Sequence, residues 1–386
     1  MALPPGREFA GAPSPGVASD TVRHFSRRLP GVYSVLPVLA VLAPVALCLG
    51  APAAGAGTLD DALRARCTPD SRLADSVTAA MRPADHLDAA ALRRLAEGAG
   101  LPAAAVHAIV VRGPDEATRA AEVTRWLDAR RLSPGARCAA AVAGDLVAVA
   151  LVPHSAEVSP LDPAATPGSS RDYVFSLPEG TRAPSLVIAL PSGGVDRMPV
   201  ALDGPTTVRF TDHGEYTLQL VVATDAGPTP LATWHVQVGA PQAAQPAPRT
   251  VSNPRDVLAA VNALRAQAGL AVLRADPLLT RVATEYAARL AARSEVAHGA
   301  SAGDSPVARL AEAHVTAERV AENVARAPSL AAAHARLAAS PSHRANLMDR
   351  YVDAAGVGTA TAGDDVYLVE LMATHPGLEP LATVGR

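Results

Sequence analysis

The chain reads Ala-Glu-Asn-Val-Ala at positions 321–325 and Ser-Pro-Ser-His-Arg-Ala-Asn-Leu at positions 340–347. These two stretches put an acid, Glu322, and a histidine, His343, into a region that is otherwise rich in alanine. We interpret them as a loop followed by two helices, because Ser329 and Ser340 are typical residues to begin helices. A third polar residue, His298, lies upstream. If this chain has a functional site, the sequence places it at these side chains.

The residues before this pair of motifs carry strong helix signals. Asn253-Pro254 and Asp276-Pro277 each combine an N-cap residue with a first-turn proline. After the motifs, the stretches Gly356–Thr361 and Val366–Leu371 have the texture of two strands joined by a turn. The sequence thus predicts helices first and strands last in one C-terminal domain, residues 253–386, of the α+β or layered type.

The segment from about 253 to 378 resembles the CAP superfamily of cysteine-rich secretory proteins, venom antigens and pathogenesis-related proteins, and in particular its shorter bacterial branch without cysteines. The resemblance rests on an ordered set of residues and not on one diagnostic motif: Asn262, Arg265, Gly269-Leu270, Leu273, Asp276-Pro277, Leu279, Ala283, His298, Glu322-Asn323-Val324-Ala325, Ser340-Pro341, His343-Arg344, Asn346 and Gly356-Val357-Gly358. It implies an α-β-α sandwich with a surface cleft.

In many members of that superfamily, two histidines and two glutamates face the cleft and can hold a divalent ion such as zinc. By position, His298 and His343 match the histidines and Glu322 matches the first glutamate. The second glutamate falls at or near Ser340, and the aromatic residue usual near Leu337 is absent. The resemblance therefore implies a metal set of His298, His343 and Glu322 that has lost one carboxylate.

The residue types leave the chemistry open. Two neutral imidazoles and a carboxylate suit Zn²⁺ with an open position, and His334 is a weaker substitute ligand. A histidine near an acid can also act as a general base, so a hydrolase that uses Glu322, His343 and Ser340 is conceivable. The alternative is structural, with Glu322 and Asn323 locking the local backbone. The sequence separations are too long for a local ligand motif, so only the fold could assemble the site.

The N-terminal residues 1–57 read as a signal peptide or a membrane anchor. Arginines at 23, 27 and 28 precede an apolar run from Val32 to Leu49, and small residues follow at 54–56. This order is typical of a secretory signal peptide, while the length of the run is near that of a membrane span. We expect an exported protein, which is secreted, periplasmic or held at the cell envelope.

Export leaves Cys67 and Cys138, both in residues 58–155, which we interpret as a small α/β domain of unknown function. An exported pair in one domain predicts a disulfide, and two buried free thiols are the alternative. Here a helix should begin after Asp88, a third helical stretch should cover 117–132, and a β-hairpin should turn at Gly144-Asp145.

Residues 172–239 contain six or seven short apolar or alternating runs separated by turn residues, which predict an immunoglobulin-like β-sandwich. The stretch around Tyr216 resembles a tyrosine corner, in which the phenol bonds back to the preceding turn. Residues 156–171 and 240–252 are rich in proline and alanine and are predicted to be linkers.

Composition excludes some functions. The net charge is −3, so the chain offers no electrostatic case for binding nucleic acid. It has no lysine, which excludes Schiff-base and P-loop lysine chemistry. Our primary hypothesis is a cell-envelope or secreted protein whose cleft binds a peptide, lipid-like or other small ligand, with or without a divalent metal. A secreted peptidase or esterase and a non-enzymatic adhesive protein are the alternatives, and the sequence does not decide whether the chain is an enzyme.

Overall fold

The computed structural model describes residues 58–81, 87–130, 132–133, 135–224, 227–241, 250–299 and 302–374. The predicted signal peptide or anchor, residues 1–57, lies outside this range, as does most of the predicted linker at 240–252. No helix in the described part of the chain is both long enough and apolar enough to cross a membrane.

Residues 58–152 form a four-stranded sheet with helices on both faces. The helices are α1 (Leu59–Arg64), α2 (Ser71–Met81), α3 (Ala89–Gly98) and α4 (Glu116–Asp128). The strands are β1 (Thr68–Pro69), β2 (His107–Arg112), β3 (Arg137–Ala143) and β4 (Leu146–Val152), in the order β1-β3-β4-β2. One core lies between the sheet and α2 and α3, and the other lies between the sheet and α1 and α4.

The local predictions for this unit are confirmed, except that α4 ends at Asp128 and does not extend to 132. Asp88 caps α3 by accepting a hydrogen bond from the backbone N–H of Ala90. The strands β3 and β4 form the hairpin that turns at Gly144-Asp145. Cys67 and Cys138 form a disulfide with their Cα atoms 5.8 Å apart, which decides between the two alternatives for these cysteines.

The next unit consists of two β-sheets that share one core. Its strands are β5 (Glu157–Ser159), β6 (Ala164–Ala165), β7 (Ser170–Ser176), β8 (Arg182–Ala189), β9 (Val195–Pro199), β10 (Thr206–Arg209), β11 (Gly214–Thr224) and β12 (Gly227–Val238). The sheet orders are β10-β7-β5 and β6-β12-β11-β8-β9. The Tyr216 hydroxyl accepts hydrogen bonds from the backbone N–H groups of Thr211 (3.2 Å) and Asp212 (2.9 Å), as the tyrosine corner predicts. The immunoglobulin-like assignment stays a prediction.

The interpretation of residues 156–171 as a linker is wrong, because this segment supplies β5 and β6. Both strands are short and each lies at the edge of its sheet. The prolines that suggested a linker, Pro160, Pro163 and Pro167, lie outside both strands, so they do not interrupt the strand pairing.

The C-terminal unit is a sheet between two helical layers, in agreement with the resemblance. Its helices are α5 (Pro254–Gln267), α6 (Pro277–Arg293), α7 (Pro306–Glu312), α8 (Leu330–Ala339) and α9 (Pro341–Leu347), with a 3-10 turn at Ala302–Asp304. Its strands are β13 (Arg274–Ala275), β14 (Val320–Ala327), β15 (Ala354–Ala362) and β16 (Asp365–Ala373), in the order β13-β15-β16-β14. One core lies between the sheet and α6 and α7, and the other lies between the sheet and α5, α8 and α9.

The helix starts of this unit follow the sequence. Asn253 caps α5 through a capping box with Asp256, and Asp276 caps α6 by accepting from the backbone of Leu278 and Leu279. The hydroxyl of Ser329 accepts from the Ala332 N–H at the start of α8. Each cap satisfies backbone donors that the first turn of a helix leaves without partners.

Two glycines of β15 let α6 approach the sheet closely. A Cβ atom at Gly356 would collide with the backbone of Leu279 and Thr280, and one at Gly358 with the backbone of Ala283 and Thr284. Main-chain atoms cannot move aside as the end of a flexible side chain can. The close packing of α6 on β15 therefore requires glycine at both positions.

Candidate functional site

Glu322 lies on a strand, and the interpretation of its segment as a loop is wrong. β14 pairs antiparallel with β16 along its whole length, which places Glu322 opposite Leu371 and Asn323 opposite Glu370. Two consecutive polar residues hid the strand in the sequence. Because side chains alternate along a strand, Glu322 faces the α6–α7 layer and Asn323 faces the α8–α9 layer. Glu322 and Asn323 thus place polar side chains on opposite sides of the sheet.

On the α6–α7 side, Glu322 joins His298 and Arg309 in one cluster. The Nδ1 atom of His298 is 3.1 Å from Glu322 Oε1, and the Arg309 guanidinium donates to Glu322 Oε2. Glu322 and Arg309 are almost completely buried, with side-chain exposures of 2% and 3%, whereas His298 is 30% exposed. The buried ion pair therefore supports an imidazole that faces the solvent side of the cleft.

Arg309 also holds the loop that carries His298. Its guanidinium lies 3.4 Å from the centroid of the Tyr286 ring, and it donates to the backbone oxygens of Asp304 and of His298, the latter at 3.2 Å. The Tyr286 hydroxyl donates to the Ala297 carbonyl at 2.6 Å. Burial raises the pKa of Tyr286 to about 12, so the hydroxyl keeps its proton for this bond. Our sequence analysis missed both residues; an arginine beside the buried Leu310 on a short helix is the signal that could have revealed Arg309.

His343 and Ser340 form a second pair on the other side of the cleft. Ser340 is the N-cap of α9, but its hydroxyl makes no capping bond to the backbone and lies 2.9 Å from Nδ1 of His343. Burial, with a smaller contribution from the nearby His298, lowers the pKa of His343 to about 4. His343 is therefore neutral at physiological pH and lies within electrostatic range of His298.

A buried polar network on the α8–α9 side fixes the position of His343. The Asn323 amide donates to the His343 carbonyl (3.1 Å) and to Glu370 Oε2 (3.0 Å). Glu370 Oε1 is 2.8 Å from Nδ1 of His334, and Asn346 donates to Asn323 Oδ1 at 3.0 Å. His334, the weaker ligand candidate, is thus buried beneath the site as a partner of Glu370. A lone carboxylate inside the apolar strand β16 is the signal that could have revealed Glu370.

The predicted site residues therefore assemble as two pairs, His298 with Glu322 and Ser340 with His343. Among the described residues, no carboxylate bonds to His343, so the Ser340, His343 and Glu322 arrangement of the hydrolase hypothesis is not formed. Asn323 does bond to backbone, as the structural alternative expected, but to the His343 carbonyl on α9 and not within its own segment.

The residues present do not fit the zinc set that the resemblance implies. Within the described ranges, no three His, Cys, Asp or Glu side chains are grouped so that they could hold a metal ion. Glu322 uses one oxygen for His298 and the other for Arg309. A guanidinium bonded to the carboxylate both occupies a ligand oxygen and repels a divalent cation. His298, Glu322 and His343 thus do not form the predicted three-ligand set.

Similarity to known proteins supports the assignment of the C-terminal unit. Residues 258–372 match the sequence profile of the CAP domain, the cysteine-rich secretory protein family. The C-terminal segment is a CAP domain. No curated protein matches the chain.

Several solved structures are similar to this chain at low identity. An outer surface protein of Borrelia burgdorferi is 24% identical with a TM-score of 0.30, over 31% of this chain and 90% of that one. An extracellular SCP-domain protein of Bacillus anthracis is 14% identical with a TM-score of 0.29, over 49% and 84%. A cysteine-rich secretory protein of Staphylococcus aureus is 15% identical with a TM-score of 0.26, over 56% and 82%. The assignment of the CAP domain rests on the profile match.

Proposed function

We propose that this chain is an exported protein whose CAP domain binds a small ligand between His298 and His343. The ligand we propose is a peptide rather than a lipid. Export is supported by the predicted signal segment, by the Cys67–Cys138 disulfide, which is typical of oxidising compartments, and by the CAP domain itself. The observation that carries the binding proposal is the pair of imidazoles on two different elements, each held in place from below by a buried polar network.

The arrangement suits binding because its supporting groups are already satisfied. Arg309 and Glu322 are paired beneath His298, and Asn323 and Glu370 are paired beneath His343. A site with fixed side chains loses little conformational entropy when a ligand arrives. In the described part of the chain, the Nε2 atoms of both imidazoles make no hydrogen bond, so each can bond to a ligand that enters the cleft.

The chemistry of the lining favours a hydrogen-bonding ligand over an acyl chain. The side chains at the site are imidazoles and the hydroxyl groups of Ser340 and Ser342. A peptide offers N–H and carbonyl groups to such side chains, whereas an acyl chain would leave them without partners at a cost of about 1–3 kcal/mol for each buried group.

Calorimetric titration of the full chain tests this proposal. The probes are a set of short Ala/Gly peptides and, separately, phosphatidylglycerol vesicles. We expect peptide binding that weakens at least about tenfold in the His298→Ala/His343→Ala double variant, a loss of about 1.4 kcal/mol. The matched control is His213→Ala, an exposed histidine of the β-sandwich, which should bind like the wild type. Unchanged binding in the double variant, or binding of vesicles without peptides, would refute the proposal.

A hydrolase is the second candidate, favoured by the 2.9 Å contact between the Ser340 hydroxyl and His343 Nδ1. A neutral imidazole beside a hydroxyl can accept its proton as the oxygen attacks a carbonyl. Against this, the described residues supply no acid to orient His343. Release of p-nitrophenol from p-nitrophenyl acetate, lost in Ser340→Ala and kept in Ser342→Ala, would support it. Equal release by the wild type and Ser340→Ala would exclude Ser340 as a nucleophile for this ester.

A further inference from the structure

The centre of the outer face of the five-stranded sheet in the β-sandwich is buried. Leu186 on β8 and Leu218 on β11 belong to the core of the sandwich. Side chains alternate along a strand, so Val187, Gln219 and Val221 point out of the opposite face. All three are nonetheless buried, with exposures of 0%, 4% and 3%. Helix α9 of the CAP domain packs against β8, β9 and β11 and covers this face.

Hydrogen bonds tie α9 to the sandwich on both sides of His343. The backbone N–H of Ser342 donates to Gln219 Oε1 at 3.0 Å, and Gln219 Nε2 donates to Thr233 Oγ1 at 3.1 Å. Arg344 Nε donates to the Gly193 carbonyl at 3.0 Å. The residues immediately before and after His343 thus both contact the sandwich, which explains why His343 is partly buried.

The same unit also reaches His298. A Cβ atom at Gly227, the first residue of β12, would lie 3.7 Å from Cδ2 of the His298 ring. The end of the β11–β12 hairpin therefore lies against the imidazole on the other wall of the cleft. The sandwich contacts His298 through this hairpin and the helix of His343 through its sheet face.

We propose that the β-sandwich is a lid over the CAP cleft, and that a ligand reaches His343, and so binds between the two imidazoles, only when the sandwich separates from α9. The regulatory meaning of this lid rests on the proposed function, since it is that ligand whose entry it controls. The occlusion itself concerns access to the His343 imidazole and is tested without any ligand.

The contact between the β-sandwich and α9 contains a desolvated cation, which favours separation of the two. Arg344 is partly buried in it, and burial lowers the pKa of its guanidinium. Its partners in the described part of the chain are the carbonyl oxygens of Gly193 and Ala338, and it forms no ion pair there. A desolvated cation without an anionic partner costs free energy. Separation of the sandwich returns this group to water, which offsets part of the loss of apolar contact at Val187 and Val221.

Carbethoxylation of histidines by diethyl pyrocarbonate measures the occlusion directly. The full chain is treated at neutral pH, and the rate at each histidine is read by peptide mass spectrometry. In the wild type, we expect His343 to react more slowly than the exposed His213. Two variants loosen the lid to different degrees: Val187→Asp puts a charge into the covered face, and Gln219→Ala removes the bond to Ser342.

His334 separates opening of the lid from unfolding of the CAP domain. It is buried within the domain and bonded to Glu370, and within the described ranges it bonds to no residue of the sandwich. We expect the rate at His343 to rise about tenfold or more in Val187→Asp and by less in Gln219→Ala, with the rate at His334 unchanged. The proposal is overturned if His343 reacts as fast as His213 in the wild type, if neither variant raises its rate, or if the rate at His334 rises in parallel in both variants.

The outcomes also separate the lid from the proposed function. Slow reaction at His343 that the variants relieve, together with no peptide binding in any variant, would leave the lid standing and refute the binding proposal. Peptide binding to a wild type whose His343 reacts freely would do the reverse.

Discussion

The substitution Arg309→Leu tests the buried ion pair beneath the cleft. It removes the cation from Glu322 while keeping an apolar side chain next to Tyr286. Because both partners are buried, Glu322 would be left as a buried carboxylate with His298 as its remaining polar side-chain partner. Breaking a buried pair in this way typically costs about 3–5 kcal/mol, and the lost contact with the Tyr286 ring adds to the cost. A loss of about 4 kcal/mol lowers the ratio of folded to unfolded CAP domain by about three orders of magnitude.

Arg289→Leu is the matched control. Arg289 also pairs with Asp304 and also lies over the Tyr286 ring, at 5.3 Å, but its side chain is 42% exposed. Exposed pairs contribute about 0–1 kcal/mol, so its loss should hardly shift the transition.

Scanning calorimetry of the full chain measures both variants, with the transition of the CAP domain followed separately, since a multidomain chain need not unfold in one step. The double variant Arg309→Leu/Glu322→Leu removes the stranded carboxylate and should recover much of the stability, because an apolar pair often replaces a buried ion pair at little cost. If Arg309→Leu costs no more than Arg289→Leu, or if the double variant is less stable than Arg309→Leu alone, the reasoning is wrong.

Three further predictions concern other parts of the molecule. Burial lowers the pKa of His343 to about 4, below the ordinary value of about 6.5. The unfolded chain therefore binds more protons between these two pH values, and the contribution of His343 to stability rises with pH across this window. An NMR titration of His343 with a midpoint near 6.5 would contradict this. Gly358→Ala forces a Cβ atom into the backbone of α6 and should lower the free energy of unfolding by about 3 kcal/mol or more, as measured by denaturant titration. At Gly98 an added Cβ atom meets nothing within 4 Å, so the control Gly98→Ala should be neutral or stabilising. Reduction of the Cys67–Cys138 disulfide opens a loop with a sequence separation of 71. It should destabilise the N-terminal unit by about 4 kcal/mol and leave the unfolding transition of the CAP domain in place. Equal shifts in both transitions would argue against a stabilising effect confined to the N-terminal unit.

The sequence predicted the parts of the fold that local chemistry decides. Asn253, Asp276 and Ser329 cap helices where expected, because an N-cap side chain bonds backbone groups within its own first turn. Gly144-Asp145 turns a hairpin for an equally local reason. The strand at Glu322 was misread as a loop because its stability comes from pairing with β16, far away in the chain.

The site was predictable as a set of residues but not as a set of contacts. The resemblance named His298, Glu322, Ser340 and His343, and the structure resolves them into two pairs. Arg309 occupies the second oxygen of Glu322, and His298 is bonded to the first. An arginine on a short helix has many possible partners, and only the packing of α7 against β14 selects this carboxylate.

The close packing of α6 on β15 has a consequence for how the cleft keeps its shape. Where two layers meet through side chains, their spacing varies with the volume of those side chains. At Gly356 and Gly358 the layers meet through main-chain atoms, which are the same in every protein. Helix α6 ends at Arg293, shortly before His298, so the loop bearing this imidazole starts from a helix whose distance from the sheet is limited at these two glycines by main-chain contact. Substitutions of core side chains away from the two glycines should therefore move the origin of that loop less than a substitution at either glycine, and the width of the cleft depends in part on this main-chain contact.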